Sequence, residues 1–264
     1  MIKNWDEFLL PYEQAVEELK VKFKSIRKEY RDMNEYSPIE FTTGRVKKIS
    51  SIIEKAHRKS VEVESIEDIA GIRIICQLVD DIPHVVDHIR NRDGKDLKII
   101  EERDYITNKK ESGYKSYHII ISYIVQTAFG EKEVLAEIQI RTLAMNFWAT
   151  IEHSINYKFG EKMPAELKER LRESAEVAGR LDDEMSKIKF EIMDAQEVFM
   201  MRTSLVARII KKIQVLYFSG NVPMKNIEKI QADFYTLRER GSIEELREMN
   251  RKLEHMNQKL HLKE

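Results

Sequence analysis

The chain has 264 residues, and 45 Lys and Arg against 46 Asp and Glu leave a formal charge of −1. That balance excludes a globally basic nucleic-acid coat and an acidic solvating tail, while 42% apolar and 34% charged residues fit a folded, helix-rich protein. The 9 Gly and 5 Pro argue against long flexible linkers, and the single cysteine, Cys76, excludes an internal disulfide framework and a Cys-rich zinc site. No apolar run approaches the roughly 20 residues that span a bilayer. Met1 to Glu7 does not read as a signal peptide. The expected compartment is the cytoplasm, with no membrane partner.

A helix is expected from about Tyr12, restarted after Pro11, because Tyr12, Val16, Leu19, Phe23, Ile26 and Tyr30 alternate spacings of four and three. A period of about 3.5 residues marks a helix that packs along its length on another. Asp32 to Ser37 reads as a polar loop, and a second helix is expected after Thr42-Thr43-Gly44, running to about Ser60. The period then shortens. Ile72, Ile74 and Cys76 alternate with Arg73, Ile75 and Gln77, as in a strand. Pro83 opens a short helix to about Arg90, a strand follows near Leu97 to Glu101, and a lysine-bearing loop runs from Asp104 to Gly113. Tyr117 to Tyr123 and Val134 to Arg141 read as strands joined by a turn at Gly130.

Helix is expected again over about Leu143 to Tyr157, and from Pro164 in a long element carrying Leu167, Leu171, Ala178, Leu181, Met185, Ile188, Ile192 and Ala195. The expected class is α+β, a mixed sheet of four to five strands flanked by long helices over residues 1–200. A helical extension occupies 201–264, where Leu246, Met249, Leu253, Met256 and Leu260 form a short seam and Ser219 to Pro223 is the clearest break.

The strand from Val134 to Arg141 is the most informative stretch. Ala136, Ile138 and Ile140 point to one face, and Glu137, Gln139 and Arg141 to the other. An edge strand facing water gives the same pattern. Yet Arg73 and Gln77 share a face of the first strand, and His118 alternates with apolar neighbours on the third. If these strands are adjacent, one sheet face carries Glu137, Gln139, Arg73 and His118, a mixture that fits a site better than a solvated surface. Asp68, just ahead of the first strand, is a common turn or cap position. Paired with Glu137 it makes a two-carboxylate set suited to Mg²⁺, which fills its other positions with water and substrate phosphates.

Complementary charge comes from the expected second helix. At about 100° per residue Lys47, Lys48, Lys55, Arg58 and Lys59 fall within roughly 120°, opposite Val46, Ile49, Ile53 and Ala56. A solvated amphipathic face explains this; so does a site for a triphosphate or an RNA backbone, since only Glu54 offsets these cations. Arg103, Lys109, Lys110 and Lys115 form a second cluster around Glu111-Ser112-Gly113-Tyr114. There Tyr114 offers an exposed ring for stacking a base, or covers core. His153, on the helix face of Ala149 and Tyr157, reads equally as packed or functional.

Taken in order, Phe41-Thr42-Thr43-Gly44-Arg45-Val46-Lys47, Asp68-Ile69-Ala70-Gly71-Ile72-Arg73, Glu111-Ser112-Gly113-Tyr114-Lys115-Ser116-Tyr117-His118 and Glu137-Ile138-Gln139-Ile140-Arg141-Thr142 strongly resemble the RelA/SpoT-homology alarmone synthetases. The resemblance covers about Trp5 to Gln196. With the run Met145-Asn146-Phe147-Trp148-Ala149, and without hydrolase or regulatory segments in these residues, it is to small alarmone synthetases of the RelQ type.

The resemblance implies a GTP diphosphokinase of the stringent response. Such an enzyme moves the β,γ-pyrophosphate of ATP to the 3′-OH of GDP or GTP, giving ppGpp or pppGpp and AMP. Carried onto this sequence, Arg45 and Arg73 sandwich adenine, and Lys47, Lys55 and Arg58 hold the ATP phosphates. Asp68 binds Mg²⁺, and Glu137 shares the metal or accepts the 3′-OH proton. Tyr114 stacks on guanine and Asn146 reads its edge; Arg103, Lys110, Lys115 and His118 hold the acceptor's phosphates, with Gln139 supporting the nucleotide. Lys115 stands where close relatives can carry Arg, and a lysine lacks the bidentate fork. Also implied is a homotetramer built by the long helices around a central cleft that binds pppGpp as an activator, with Lys24, Phe41 and Thr43 in contact. Two other readings stand beside this one: a tRNA 3′-end pyrophosphokinase like toxic relatives, and an RNA-binding regulatory oligomer whose synthesis single-stranded RNA inhibits. Tyr114 and Asn146 favour a free guanine nucleotide, and retention of Asp68 and Glu137 favours catalysis.

Overall fold

The computed structural model describes residue 2 and residues 4–108, 110–159 and 163–261, the side chains of Tyr157 and residues 259–261 excepted. Lys109 of the cationic loop, and the side chains of Tyr157 and Leu260, therefore lie outside the described residues. Asn4 starts the first helix, its Oδ1 accepting from the backbone N–H of Asp6 at 3.2 Å and of Glu7 at 3.3 Å. Helix α1 then runs Trp5–Asp32, straight through Pro11 rather than restarting after it. An internal proline costs about 3 kcal/mol. Each apolar side chain buried on the stripe Leu9, Tyr12, Ala15, Val16, Leu19, Phe23 and Ile26 gains roughly 1.5–3 kcal/mol where it is large, so the continuous helix prevails.

Phe41–Val46 is a strand, β1, and not the start of a helix. It pairs antiparallel with β2 (Ala70–Cys76), and that long-range ladder sets its conformation. A Cβ at Gly44 would lie 2.8 Å from a Val16 methyl and 2.9 Å from Ile72, so only glycine lets α1 lie this close to β1. The second helix, α2, is shortened to Ile49–Lys59 and buries Ile52 and Ala56, leaving Ile53 exposed. Spacings of three and four are both helical, and the packing selects Ile52.

Helix α3 (Asp81–Arg90), β3 (Lys98–Asp104), β4 (Tyr117–Thr127) and β5 (Gly130–Thr142) follow. Gly130, at φ +102°, closes the β4–β5 hairpin opposite Thr127. Among the described residues the sheet has five strands in the order β1-β2-β5-β4-β3, and β2 with β5 is its parallel pair. Ile72, Ile74, Ile119, Ile121, Ala136, Ile138 and Ile140 pack into one buried core with the stripe of α1 and with Ile82, Val85, Val86 and Ile89 of α3. Helix α4 (Leu143–Phe159) and the start of α5 (Ala165–Phe218) build a smaller cluster of Trp148, Ala149 and Ala175 beside Tyr114. Trp148 Nε1 fastens it, donating to the Leu171 carbonyl at 3.0 Å.

The chain divides into two compact units, Met1–Lys187 and Ile188–Glu264, and the division falls inside α5. It comes ahead of the expected boundary at 200 because the helix is unbroken there; the packing changes before the residue pattern does. The second unit has its own core, formed by Leu205, Ile209, Ile213 and Leu216 of α5, Ile227 and Phe234 of α6 (Met224–Arg240), and Leu246, Met249 and Leu253 of α7 (Ile243–His261). Arg202 stitches the turn between α6 and α7, donating to the carbonyls of Gly241 at 2.8 Å and Arg238 at 2.9 Å. No helix among the described residues is long and apolar enough to cross a membrane.

Candidate active site

Strand register builds the site. Thr43 is opposite Arg73, Arg73 opposite Gln139, Gln139 opposite His118 and His118 opposite Arg103, a row that crosses all five strands. The next row runs Arg45, Gly71, Glu137. Side chains alternate along each strand, so both rows lie on the face away from the isoleucine core. Gly71 carries no side chain, which leaves open space between Arg45 and Glu137. The parallel pairing of β2 with β5 is what brings Arg73 beside Gln139.

Glu137 sits in a closed polar network. His118 Nδ1 lies 3.0 Å from its Oε1, and Gln139 Nε2 donates to its Oε2 at 2.6 Å. The other imidazole nitrogen, Nε2, is 2.8 Å from the Tyr114 hydroxyl. A neutral ring that donates from Nδ1 to the carboxylate must accept from tyrosine at Nε2. Arg141, only 4% exposed, donates to Gln139 Oε1 at 2.9 Å, to Ser116 Oγ at 3.2 Å and to the Tyr114 hydroxyl. Burial pushes the Glu137 carboxyl up, but the bonds from His118 and Gln139 outweigh it and hold the group below its ordinary value. The charge of Asp68 pushes the other way, so the two carboxylates sense each other.

Asp68 holds two lysines. Lys47 Nζ is 2.9 Å from Oδ2, and Lys55 Nζ is 2.9 Å from Oδ1. Burial raises the Asp68 carboxyl, and the two ammonium groups more than reverse that, keeping it ionised. The lysines do not come from one helical face as the sequence suggests. Lys47 follows the end of β1 and Lys48 is the N-cap of α2, whereas Lys55 lies within the helix. Arg58, in the last turn of α2, is exposed and is not drawn onto Asp68. Arg73 is the other half of this region. Its Nε is buried with no partner among the described residues. Burial and the charges of Arg141 and Arg45 hold its guanidinium below its ordinary value, an arrangement awaiting an anion or a π face.

Tyr114 is not the exposed ring expected from its loop. It is half-buried, because its hydroxyl is taken by His118 and Arg141 and its ring covers the Trp148 cluster. Lys110 Nζ stands 4.3 Å over the Tyr105 ring and 4.9 Å over Tyr114. Arg103 is engaged by Glu67, at 2.9 Å, and by Glu101, so a phosphate would have to compete for it. The Lys115 ammonium rests against α5, where a Cβ on Gly179 would lie 2.6 Å away. Asn146 is in the first turn of α4, and its Oδ1 is buried with no partner among the described residues. His153 is exposed.

Lys24 and Phe41 line a cleft of about 560 Å³ together with Arg27, Lys28 and Arg31 of α1. Thr43 does not line it; it lies further along β1, opposite Arg73. Sequence reading missed Tyr105, Glu67 and Asp182, and gave Arg141 no role although its place on the polar face of β5 was legible. Among the described residues no group of three or more His, Cys, Asp or Glu could hold a metal ion. Two ionised carboxylates, Asp68 and Glu137, are what Mg²⁺ asks of a protein when phosphates complete its shell, and the donor set fits it.

Residues 44–162 match a family model described as a region found in RelA / SpoT proteins. The chain is 56% identical over 200 residues to the GTP pyrophosphokinase YjbM of Bacillus subtilis strain 168, an alignment covering 75% of this chain and 94% of that protein. The crystal structure of small alarmone synthetase 1 from B. subtilis bound to its product pppGpp matches with a TM-score of 0.69 at 56% identity, over 72% of this chain and 99% of that one. The same enzyme bound to AMPCPP matches with a TM-score of 0.64 at 51% identity, over 73% and 99%.

Proposed function

The chain belongs to the RelA/SpoT family, and from that premise we propose that it is a GTP diphosphokinase, transferring the β,γ-pyrophosphate of ATP to the 3′-OH of GDP or GTP. The observation that carries this reading is one sheet face holding an ionised Glu137 bonded to His118 and Gln139, next to Asp68 with its two lysines. ATP enters between Arg45 and Arg73, and its phosphates take Lys47 and Lys55 away from Asp68, with Arg58 at the rim. Asp68 and Glu137 would hold Mg²⁺, which when bound would draw charge from the donor's phosphates.

The acceptor's guanine lies against Tyr114. Asn146 Oδ1 accepts from the base N–H groups, and Arg103, Lys110, Lys115 and His118 face its phosphates, with Gln139 supporting the nucleotide. The 3′-oxygen forms a bond to the β-phosphorus as the bond from that phosphorus to the α,β-bridging oxygen breaks, and AMP leaves with that oxygen. The 3′-OH proton passes to Glu137. Transfer of this kind depends on positioning and charge more than on base strength, so a carboxylate held below its ordinary value suffices. Relatives seen with pppGpp and with AMPCPP support these two half-sites.

A free guanine nucleotide is the acceptor this reading favours, since the buried Asn146 Oδ1 has no donor among the described residues and guanine carries N–H groups. Neither tRNA nor single-stranded RNA has an observation of this kind behind it. The working form is a homotetramer joined by its long helices, with pppGpp activating from the cationic cleft of Lys24 and Phe41, and its compartment on this reading is the cytoplasm. The test is to incubate the protein with γ-labelled ATP, Mg²⁺ and GDP, GTP or bulk tRNA. Label on the guanine nucleotide is expected, and label on tRNA alone overturns the reading.

A further inference from the structure

Asp182 is a buried acid that the reaction above does not use. It lies on α5, is 4% exposed, and accepts a hydrogen bond from Thr142 Oγ1 at 2.6 Å. Thr142 ends β5, and the same hydroxyl accepts the backbone N–H of Met145 at 3.1 Å. That is an N-cap, so Asp182 orients the group that fixes the first turn of α4. The next residue in that turn is Asn146, with its unpartnered Oδ1.

One turn earlier on α5, Gly179 leaves a notch. The Lys115 ammonium fills it, close enough that a Cβ there would be 2.6 Å away. Lys115 also acts electrostatically on Asp182. Two chain segments that the acceptor needs, one carrying Lys115 and one carrying Asn146, thus meet the same turn of α5.

We propose that Gly179 and Asp182 are positioning residues of the acceptor site: the notch and the buried carboxylate seat Lys115, and Asp182 through Thr142 anchors the turn that presents Asn146. This deepens, and rests on, the reading of Lys115 and Asn146 as acceptor-binding groups. Burial lifts the Asp182 carboxyl to about 6, with Thr142 and Lys115 pulling it down and Asp183 pushing it up. At neutral pH it is therefore charged and attracts Lys115.

Gly179→Ala is the sharpest probe. Alanine favours a helix over glycine, and the group it displaces is the end of a flexible side chain, so the fold is spared. Asp182→Asn keeps an acceptor for Thr142 and removes the charge. Both variants are expected to raise KM for GDP and GTP about 3–10-fold, roughly the 1.4 kcal/mol-per-decade scale of one lost charged contact, with KM for ATP within twofold and no fall in Tm. Calorimetry without ATP separates position from folding: Gly179→Ala weakens GDP binding by a similar factor and leaves guanosine, which has no phosphate for Lys115, unchanged.

Acceptor KM within twofold of wild type in both variants, or an equal rise in KM for ATP, overturns the assignment. Wild-type protein that binds GDP yet transfers nothing to it sinks the function proposed above. The calorimetric comparison then decides the role of Gly179 and Asp182 alone. Wild-type protein that does not bind GDP overturns both.

Discussion

Lys47 and Asp68 meet at 2.9 Å where the end of β1 faces the entrance to β2, and Lys55 closes on the other carboxylate oxygen at the same distance. The proposed phosphate clamp and the proposed metal ligand therefore neutralise each other before substrate arrives. Each is partly buried, so neither charge is left uncompensated in a site of reduced dielectric. A triphosphate entering here exchanges one set of ion pairs for another instead of meeting bare cations.

Asp68→Asn should accordingly separate binding from chemistry. Without the carboxylate the two lysines lose their internal partner, and ATP measured by calorimetry without Mg²⁺ should bind at least as tightly as to wild type. Synthesis with Mg²⁺ should fall at least about 100-fold, on the scale of losing one electrostatic group from a transfer site. Near-normal turnover in this variant would remove Asp68 from the metal-holding role.

His118 governs the ionisation of Glu137. Burial pushes that carboxyl up, and the His118 bond is the largest influence holding it down. A base must be ionised to accept the 3′-OH proton, so activity is lost as pH falls through the Glu137 pKa. His118→Ala should move the acid limb of the kcat profile to higher pH, by about one unit if the bond contributes the ~1.4 kcal/mol that one pKa unit represents. Rates measured from about pH 3 to 9, a window that extends below the ordinary glutamate value, decide this. An acid limb that stays in place would show that His118 does not tune the base.

How much of this was legible depended on whether the signal was local. Glu137, Gln139 and Arg141 alternate with Ala136, Ile138 and Ile140, and a period of two residues sorts them to opposite faces without any structure. Arg73 follows the same logic on β2. The residues of β1 did not, because Arg45-Val46-Lys47-Lys48 runs into a helical stretch and strand character there comes from pairing with β2. Pro11 misled for a similar reason: its local penalty is real, and a buried stripe on both sides of it overrides that penalty. Asp182 was out of reach, since its partner Thr142 is 40 residues away and the inward side of α5 is chosen by tertiary packing.

Gly44 couples the helical layer to the donor half-site. An added methyl would press on Val16, Ile72 and the Lys20 stem at 2.8–3.0 Å, two of which are buried in the core. Gly44→Ala should cost about 1–3 kcal/mol of stability through overpacking, seen as a lower midpoint in denaturant with an unchanged slope. Because β1 carries Arg45 and leads into Lys47, KM for ATP should rise while KM for GDP holds. A variant as stable as wild type would mean that α1 slides aside at no cost.

The second unit has a core of its own, and every residue placed at the site precedes it. A protein ending at Gln196 should retain transfer from ATP to GDP within about threefold, a change of no more than ~0.7 kcal/mol in transition-state stabilisation. The fragment 188–264 should unfold cooperatively by circular dichroism, as three helices sharing one apolar core do. Loss of transfer on truncation would assign the extension a part in catalysis that its residues do not suggest.

Asp182 should show a trade between stability and acceptor binding. Its carboxyl, raised by burial to about 6 from 3.8, binds its proton more tightly in the folded than in the unfolded chain. Folding therefore takes up a proton once the pH drops through about 6, and on this account stability is level above that pH and rises as pH falls from about 6 toward 3.8. Asp182→Asn removes a buried charge and keeps the bond from Thr142, so at pH 8 the variant should be about 1–3 kcal/mol more stable than wild type. The gap should narrow as pH falls through about 6 and close only below 3.8, where the carboxyl of the unfolded chain is protonated as well. Thermal melts of both proteins across that range test this. A variant less stable than wild type at pH 8 would mean that the attraction to Lys115 exceeds the cost of burying the charge.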